Sequence, residues 1–227
     1  MPLHTDRQYE EDLQQLRARV LEMGGLVEKQ IGDAMTSLVD RNSPLAREVI
    51  ERDHTVNYLD VAIDEASTKL MALHQPAARD LRFIVTSVRI STDLERIGDI
   101  AQNICERAIE LNQEPPLKPY VDLPKMAEWA RAMLRDSLDA FVRDDPELAL
   151  QVCQRDDFID NLTAQLFNEM LSHMTQDPQS VSRAVRILFL AKYLERIADH
   201  ATNIGEMVIY MVKGKSIRHM SPPPESV

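Results

Sequence analysis

LERIGDIAQNICERAI, residues 94–109, recurs as LERIADHATNIGEMVI, residues 194–209, with ten of its 16 positions unchanged. In both stretches the apolar residues return every three or four positions, as they do on one face of an α-helix. A second pair supports the duplication, because Arg52-Asp53 aligns with Arg155-Asp156 at an offset of 103. The chain is therefore predicted to contain two copies of a helical unit of about 105 residues, a size that can bury its own core.

Prolines divide the chain into helical segments. Ser43 and Asp145 each precede a proline and are predicted N-caps, since proline suits the first helical position. The helical segments are residues 6–41, 44–73, 77–111, 123–143, 146–174 and 179–212, and any proline in them stands at the first or second position. They predict an all-α fold of six long antiparallel helices, arranged as two tandem three-helix bundles.

The same punctuation predicts the domain boundaries. The predicted parts are a first bundle at 1–112, a proline-rich linker at 113–122, a second bundle at 123–214 and a disordered tail at 215–227. The two bundles have related sequences, and the sequence between them is polar and contains prolines. Both features favour this division.

Composition excludes several classes of protein. With 6 glycines and 5% aromatic residues, the chain lacks the material of a β-sandwich or barrel. A net charge of −11 argues against a nucleic-acid partner. Cys105 and Cys153 are isolated, which predicts neither a zinc site nor a disulfide framework and favours the cytoplasm. No apolar run approaches about 18 residues, so membrane contact is expected only through partners.

Carboxylates recur on one side of the last helix in each unit. They are Glu95, Asp99 and Glu106 in the first copy and Glu195, Asp199 and Glu206 in the second. Each set spans about 40° around its helix and, in the first copy, lies nearly opposite the apolar face. These side chains are therefore expected at the surface.

A matching stripe follows the preceding helix of each unit. Its members are Asp53, Asn57, Asp60 and Asp64 in the first copy and Asp156, Asp160, Thr163 and Phe167 in the second. In an antiparallel hairpin turning near residue 75, Asp53 is about 22 residues before the turn and Glu95 about 20 after it, so both stripes are level. The second copy gives a similar register.

Facing carboxylates repel one another unless arginines or a cation offset their charge. Hard or borderline metal ions take clustered carboxylate oxygens, so the pattern predicts one metal site per repeat. The predicted ligands are Glu95, Asp99, Asp53, Asp156, Asp160, Glu195 and Asp199, with Asn57, Asp60, Asn103, Glu106, Asn203 and Glu206 as secondary candidates. The alternative is a solvated helix face, with Arg96 and Arg196 pairing with these acids.

The two copies of the signature resemble the duplicated motif of the PhoU family. Three further stretches are similar to that family over nearly the whole chain: Met23-Gly-Gly-Leu-Val-Glu28, Val61-Ala-Ile-Asp-Glu65 and Gln75-Pro-Ala-Ala-Arg-Asp-Leu-Arg82. The resemblance implies a cytoplasmic, non-enzymatic negative regulator of the phosphate-starvation response and phosphate uptake. It also implies a homodimer that links the ATP-binding subunit of the phosphate ABC transporter to a sensor histidine kinase.

For the metal sites, the resemblance implies ions such as Fe, Mn, Zn, Ni or Mg, in multinuclear clusters in some members, on Glu/Asp-x-x-x-Asp motifs. Glu95 with Asp99, Asp156 with Asp160, and Glu195 with Asp199 match that motif. Asp53 departs from it because Asn57 stands four residues later, so a weaker or different first site is expected. Two alternatives remain open: a metal-free helical scaffold, and a carboxylate-bridged di-metal enzyme, which the lack of a suitably spaced histidine disfavours.

Overall fold

The protein consists of helices joined by short turns. The computed structural model describes residues 3–217, with side chains from residue 7 onward, so most of the predicted tail lies outside the described residues. The helices are α1 (Leu3–Val39), α2 (Ser43–Arg52), α3 (His54–His74), α4 (Ala78–Leu111), α5 (Asp122–Arg143), α6 (Pro146–Cys153), α7 (Asp156–Gln176) and α8 (Val181–Lys213). Within 3–217 no strand occurs, and the prediction of an all-α fold is confirmed.

Two of the six predicted helices are each divided in two. The second segment breaks at Asp53, between α2 and α3, and the fifth breaks at Gln154 and Arg155, between α6 and α7. Neither break contains glycine or proline, so apolar periodicity and punctuation do not reveal it. At the first break, Val56 N–H donates to the Asp53 carbonyl at 2.9 Å, a single tight turn that redirects the helix.

The two repeats pack side by side around one continuous core. α1, α3 and α4 form the first bundle and α5, α7 and α8 the second, while α2 and α6 cover the bundles next to α4 and α8. α4 lies along α8, and α1 lies along α5, so both repeats share the interface. The prediction of two tandem three-helix bundles is confirmed.

Side chains at the helix ends set the turns. Asn42, not Ser43 as predicted, caps α2, because its Oδ1 accepts from Leu45 N–H at 3.1 Å. Asp145 caps α6 as predicted, with Oδ1 accepting from Glu147 N–H at 3.1 Å and Leu148 N–H at 3.0 Å. The cap of α2 moves one residue because Ser43 already has helical backbone and Asn42 does not.

Polar contacts fix the interface between the repeats. His200 Nδ1 on α8 lies 2.6 Å from Asp93 Oδ1 on α4, and both side chains are less than one-fifth exposed. Arg82 Nε donates to the carbonyl of Met211 at 3.0 Å. Because these bonds join residues more than 100 positions apart, they set the register of α4 against α8.

Candidate metal-binding carboxylate sites

The second repeat brings four carboxylates together where α7 and α8 face each other. Asp156 and Asp160 belong to α7, Glu195 and Asp199 to α8, and Asp160 lines the same groove as Glu195. Burial raises the pKa of Asp156 to about 6, and the negative charges of Asp199, Asp160 and Glu195 add to the shift. Burial followed by the charge of Glu195 also raises the pKa values of Asp160 and Asp199.

One lysine partly offsets this negative charge. Lys192 Nζ forms an ion pair with Glu195, one turn earlier on α8. It also opposes the upward pKa shifts of Asp160 and Asp199, so its ammonium lies close to three of the four carboxylates. Lys192 therefore occupies the electrostatic position that a bound cation would take.

In the first repeat, Asp53 is buried instead of exposed. Only 3% of the residue is accessible, because the break between α2 and α3 turns its carboxylate inward. Gln30 Nε2 on α1 donates to Asp53 Oδ1 at 3.4 Å, and Asn57 Nδ2 donates to Oδ2 at 3.1 Å. Burial raises the pKa of Asp53, the two amides lower it, and the charge of Asp99 raises it. The amides thus stabilise a carboxylate that has no cation beside it.

The other first-repeat acids are nearer the surface. Burial and the charge of Asp99 raise the pKa of Glu95, whereas Arg96 lowers it. Arg96 lies 3.5 Å from both of these carboxylates. Asp60 accepts from Ser91 Oγ at 2.7 Å. An arginine therefore offsets charge in the first repeat as Lys192 does in the second.

The secondary candidates make other contacts. Asn103 Nδ2 donates to the Asp99 backbone carbonyl at 2.8 Å, and Glu106 lies 3.6 Å from Arg107. Asn203 and Glu206 line a different groove, between α4 and α8. Of these secondary candidates, Asp60 lies near enough to Glu95 across the first hairpin for its charge to raise the pKa of Glu95.

The chemistry of both sets fits a hard or borderline cation, but their side chains are not arranged as ligands. Among residues 7–217, no group of three or more His, Cys, Asp or Glu side chains has a geometry that could hold a metal ion. Side-chain rotation and displacement of Lys192 or Arg96 would be needed first. The backbone brings the carboxylate groups to one side of each hairpin, but their oxygen atoms do not converge on a common point.

Sequence reasoning missed three features of these sites. Gln30 lies on α1, and nothing in its own segment indicates that its side chain reaches Asp53. Its Oε1 atom is buried without a hydrogen-bond partner. The pairing of Lys192 with Glu195 could have been found, because an i, i+3 spacing brings opposite charges together on a helix. The His200–Asp93 pair depends on packing between the repeats and leaves no local signal.

The chain is similar to proteins of known family along most of its length. The family described as "PhoU domain" matches residues 20–108 and 123–208. The phosphate-specific transport system accessory protein PhoU homolog of Pseudomonas putida is 44% identical over 218 residues, covering 96% of this chain and 85% of that protein.

Two crystal structures share the fold. PhoU from Pseudomonas aeruginosa superposes with a TM-score of 0.88 at 41% identity, covering 91% of this chain and 100% of that one. The phosphate transport system regulatory protein PhoU from Streptococcus pneumoniae superposes with a TM-score of 0.86 at 28% identity, covering 92% and 99%.

Proposed function

Because this chain belongs to the PhoU family, we propose that it is a regulator that represses phosphate uptake and the phosphate-starvation response. Its relatives are named as an accessory protein of phosphate-specific transport and a phosphate transport regulatory protein. The observation that carries the proposal is the family match to both repeats, at residues 20–108 and 123–208. The proposal assigns the chain no catalytic step.

The regulator acts as a cytoplasmic adaptor. It contacts the ATP-binding subunit of the phosphate ABC transporter and a sensor histidine kinase, and it works as a homodimer. Two similar bundles packed side by side suit such a role, because each can present a helical face to a different partner. None of the helices within residues 3–217 combines the length and the apolar composition of a membrane span.

Metal binding is the second part of the proposal. Asp156, Asp160, Glu195 and Asp199 would hold an ion in the second repeat, and Asp53, Glu95 and Asp99 in the first. A bound Fe, Mn, Zn, Ni or Mg ion supplies positive charge that neutralises the carboxylates. The raised pKa values of Asp156 and Asp53 support this, because each reports uncompensated negative charge nearby as well as burial. The second repeat is the stronger site, since Asp156 has no amide partners like those of Asp53.

Deleting the gene tests the regulatory role. We expect alkaline phosphatase activity to rise in phosphate-rich medium and to return to the repressed level when the wild-type gene is restored. Activity that stays repressed after deletion contradicts the proposal. The control is a strain that also lacks the sensor kinase, in which deletion should change nothing.

Elemental analysis and calorimetric titration test metal binding. The purified chain should bind Mn²⁺ or Zn²⁺. The double variant Glu195→Gln, Asp199→Asn should lose the higher-affinity binding, which we assign to the second repeat. Glu128→Gln with Asp139→Asn on α5 provides a control that removes the same charge away from both hairpins. Equal binding by the site and control variants would contradict the assignment.

A metal-free scaffold is the second candidate. It is favoured by the absence, among residues 7–217, of a ready group of three metal-binding side chains. It predicts no stoichiometric metal and normal repression by the Glu195→Gln, Asp199→Asn variant. These results would support the adaptor function and contradict metal binding.

A further inference from the structure

Large apolar side chains are exposed on the α7–α8 hairpin, between the carboxylates and the hairpin turn. Phe167 and Leu171 on α7 are 52% and 46% exposed, and Val185 and Phe189 on α8 are 37% and 50% exposed. We call these four residues the hairpin patch. Phe167 is 11 residues before the turn at Pro178–Ser180 and Phe189 is nine after it, so they lie at similar height.

The fold does not require apolar residues at three of these four positions, since only Val185 has an apolar counterpart in the first repeat, Val85. The first repeat carries Asp64 where the second carries Phe167, Thr68 in place of Leu171, and Arg89 in place of Phe189, at the offsets of 103 and 100 found above. Asp64, Thr68 and Arg89 are also exposed. Since the same architecture forms with polar side chains there, the aromatic residues of the second repeat cost solubility without supporting the core, which is characteristic of an interaction surface.

The hairpin patch is continuous with negative charge. Asp160, Thr163, Phe167 and Glu195 line one groove between α7 and α8. Asp156 and Asp199 bring the number of carboxylates at this surface to four. With the one ammonium of Lys192, their summed formal charge is −3. One divalent ion would leave it at −1, so its sign persists when the proposed metal is bound. A partner complementary to this surface combines apolar side chains with lysine or arginine.

The distance along the hairpin indicates the size of the partner segment. From Asp156 to Leu171 the stripe and the patch together cover 15 residue steps of α7. At 1.5 Å per residue this is about 22 Å, the length of a helix of four turns. A helix with apolar residues at i, i+3, i+4 and i+7 presents such a stripe to a groove between two helices.

We propose that the α7–α8 face of the second repeat is a docking surface for a basic amphipathic helix of a partner protein. Phe167, Leu171, Val185 and Phe189 receive its apolar side chains, and the carboxylates at the other end receive its lysine or arginine side chains. The inference rests on the adaptor function proposed above and specifies where one partner binds. The corresponding face of the first repeat is not this partner's site, because Asp64 and Arg89 replace both aromatics.

A synthetic 18-residue helical peptide, with leucine on one face and lysine on the other, is the probe. It is labelled with fluorescein and titrated with the purified full chain in the presence of a chelator, and anisotropy is measured. The test variant combines Phe167→Asp and Phe189→Arg, which are the first repeat's own residues at these positions. It leaves the net charge unchanged, and we expect at least tenfold weaker binding because two aromatic anchors are lost.

The matched control combines Tyr58→Ser and Val61→Ser, which removes exposed apolar side chains from α3 and should leave the affinity unchanged. A second peptide with glutamate in place of lysine should bind at least tenfold more weakly than the lysine peptide. Thermal melting confirms that each variant is folded. A third variant, Leu171→Thr, keeps the test usable if the double variant unfolds, and we expect an intermediate loss of affinity.

Three results would overturn the proposal: equal affinity of the double variant and wild type, equal affinity for both peptides, or self-association that disappears in the double variant without peptide binding. The last result would make the occupant a second copy of this chain. The assay needs neither transporter nor kinase. Its failure therefore leaves the regulatory proposal standing, and unchanged alkaline phosphatase after gene deletion leaves the peptide result standing.

Discussion

Gly98 is small because the carboxylate of Asp53 lies against it. A Cβ atom at position 98 would come within 2.9 Å of Asp53 Oδ1 and 3.4 Å of Gln30 Oε1. The second repeat has Ala198 at the corresponding position, and there the pKa shift of Asp156 comes from burial and neighbouring carboxylates, without the amide donors that act on Asp53. The one difference within the motifs LERIGD and LERIAD thus accompanies a difference in how deeply the facing aspartate is buried.

Replacing Gly98 by alanine should lower the free energy of unfolding by about 1 kcal/mol. Overpacking against the fixed Asp53 and Gln30 costs about 1–3 kcal/mol, and the higher helix propensity of alanine returns about 1 kcal/mol. Urea unfolding monitored by circular dichroism measures the change. Gly25→Ala is the control, because nothing lies within 4 Å of its Cβ position, and it should be stabilising. Equal effects of the two substitutions would contradict the steric account.

Asp156 makes stability depend on pH. An unfolded aspartate has a pKa near 3.9, whereas burial and neighbouring carboxylates raise that of Asp156 to about 6. The folded chain therefore binds the carboxyl proton of Asp156 more tightly than the unfolded chain does. The stabilisation that this proton provides is complete below about pH 4 and is lost as pH rises through about 6. With a chelator present, Asp156→Asn should remove about 0.5 kcal/mol of the loss between pH 5.5 and 7.5, after allowance for solvent screening.

Thermal unfolding at both pH values measures this effect. Asp64→Asn is the control, since Asp64 is exposed on α3 of the other repeat and is not among the charges that raise the pKa of Asp156. A pH dependence that is the same in the Asp156→Asn variant and in wild type would show that this carboxylate is not the source. Saturating Mn²⁺ should also reduce the pH dependence if the metal proposal holds.

Lys192 should compete with metal ions for Glu195. Lys192→Gln removes the ammonium that pairs with Glu195, so Mn²⁺ affinity should increase about three- to tenfold. Calorimetric titration measures the change. Lys29→Gln, which removes the lysine paired with Asp33 on α1, is the control and should have no effect. Unchanged or weaker binding by Lys192→Gln would count against a metal site between α7 and α8.

The His200–Asp93 contact should couple the two repeats. Its 2.6 Å separation and low exposure predict a loss of about 1–2 kcal/mol for Asp93→Asn or His200→Ala. The double variant should lose less than the sum of the two, because each single change removes the same interaction. Chemical denaturation of all four proteins gives the coupling. Asp93 corresponds to Tyr193 in the second repeat, and His200 corresponds to Ile100 in the first. The duplication therefore supplies no second copy of this pair.

The sequence by itself determined the helices, the duplication and the surfaces that carry the acids. These properties repeat every few residues or at a fixed offset near 100, so they can be read without knowing how distant segments meet. The level register of Asp156 with Asp199 follows from helix rise alone. The break at Asp53 left no such sign, because its helical backbone hydrogen bonds change locally without glycine or proline.

Only the tertiary structure decided which acids are buried and what partners they have. Gln30 is 23 residues from Asp53, and Asp93 is 107 residues from His200, and both contacts exist only after bundles have packed. Burial sets the cost of a charge, and burial is a property of several helices together. For this reason both repeats have similar carboxylate stripes in their sequences, whereas packing makes Asp53 an amide-bonded interior group and leaves Asp156 facing other acids.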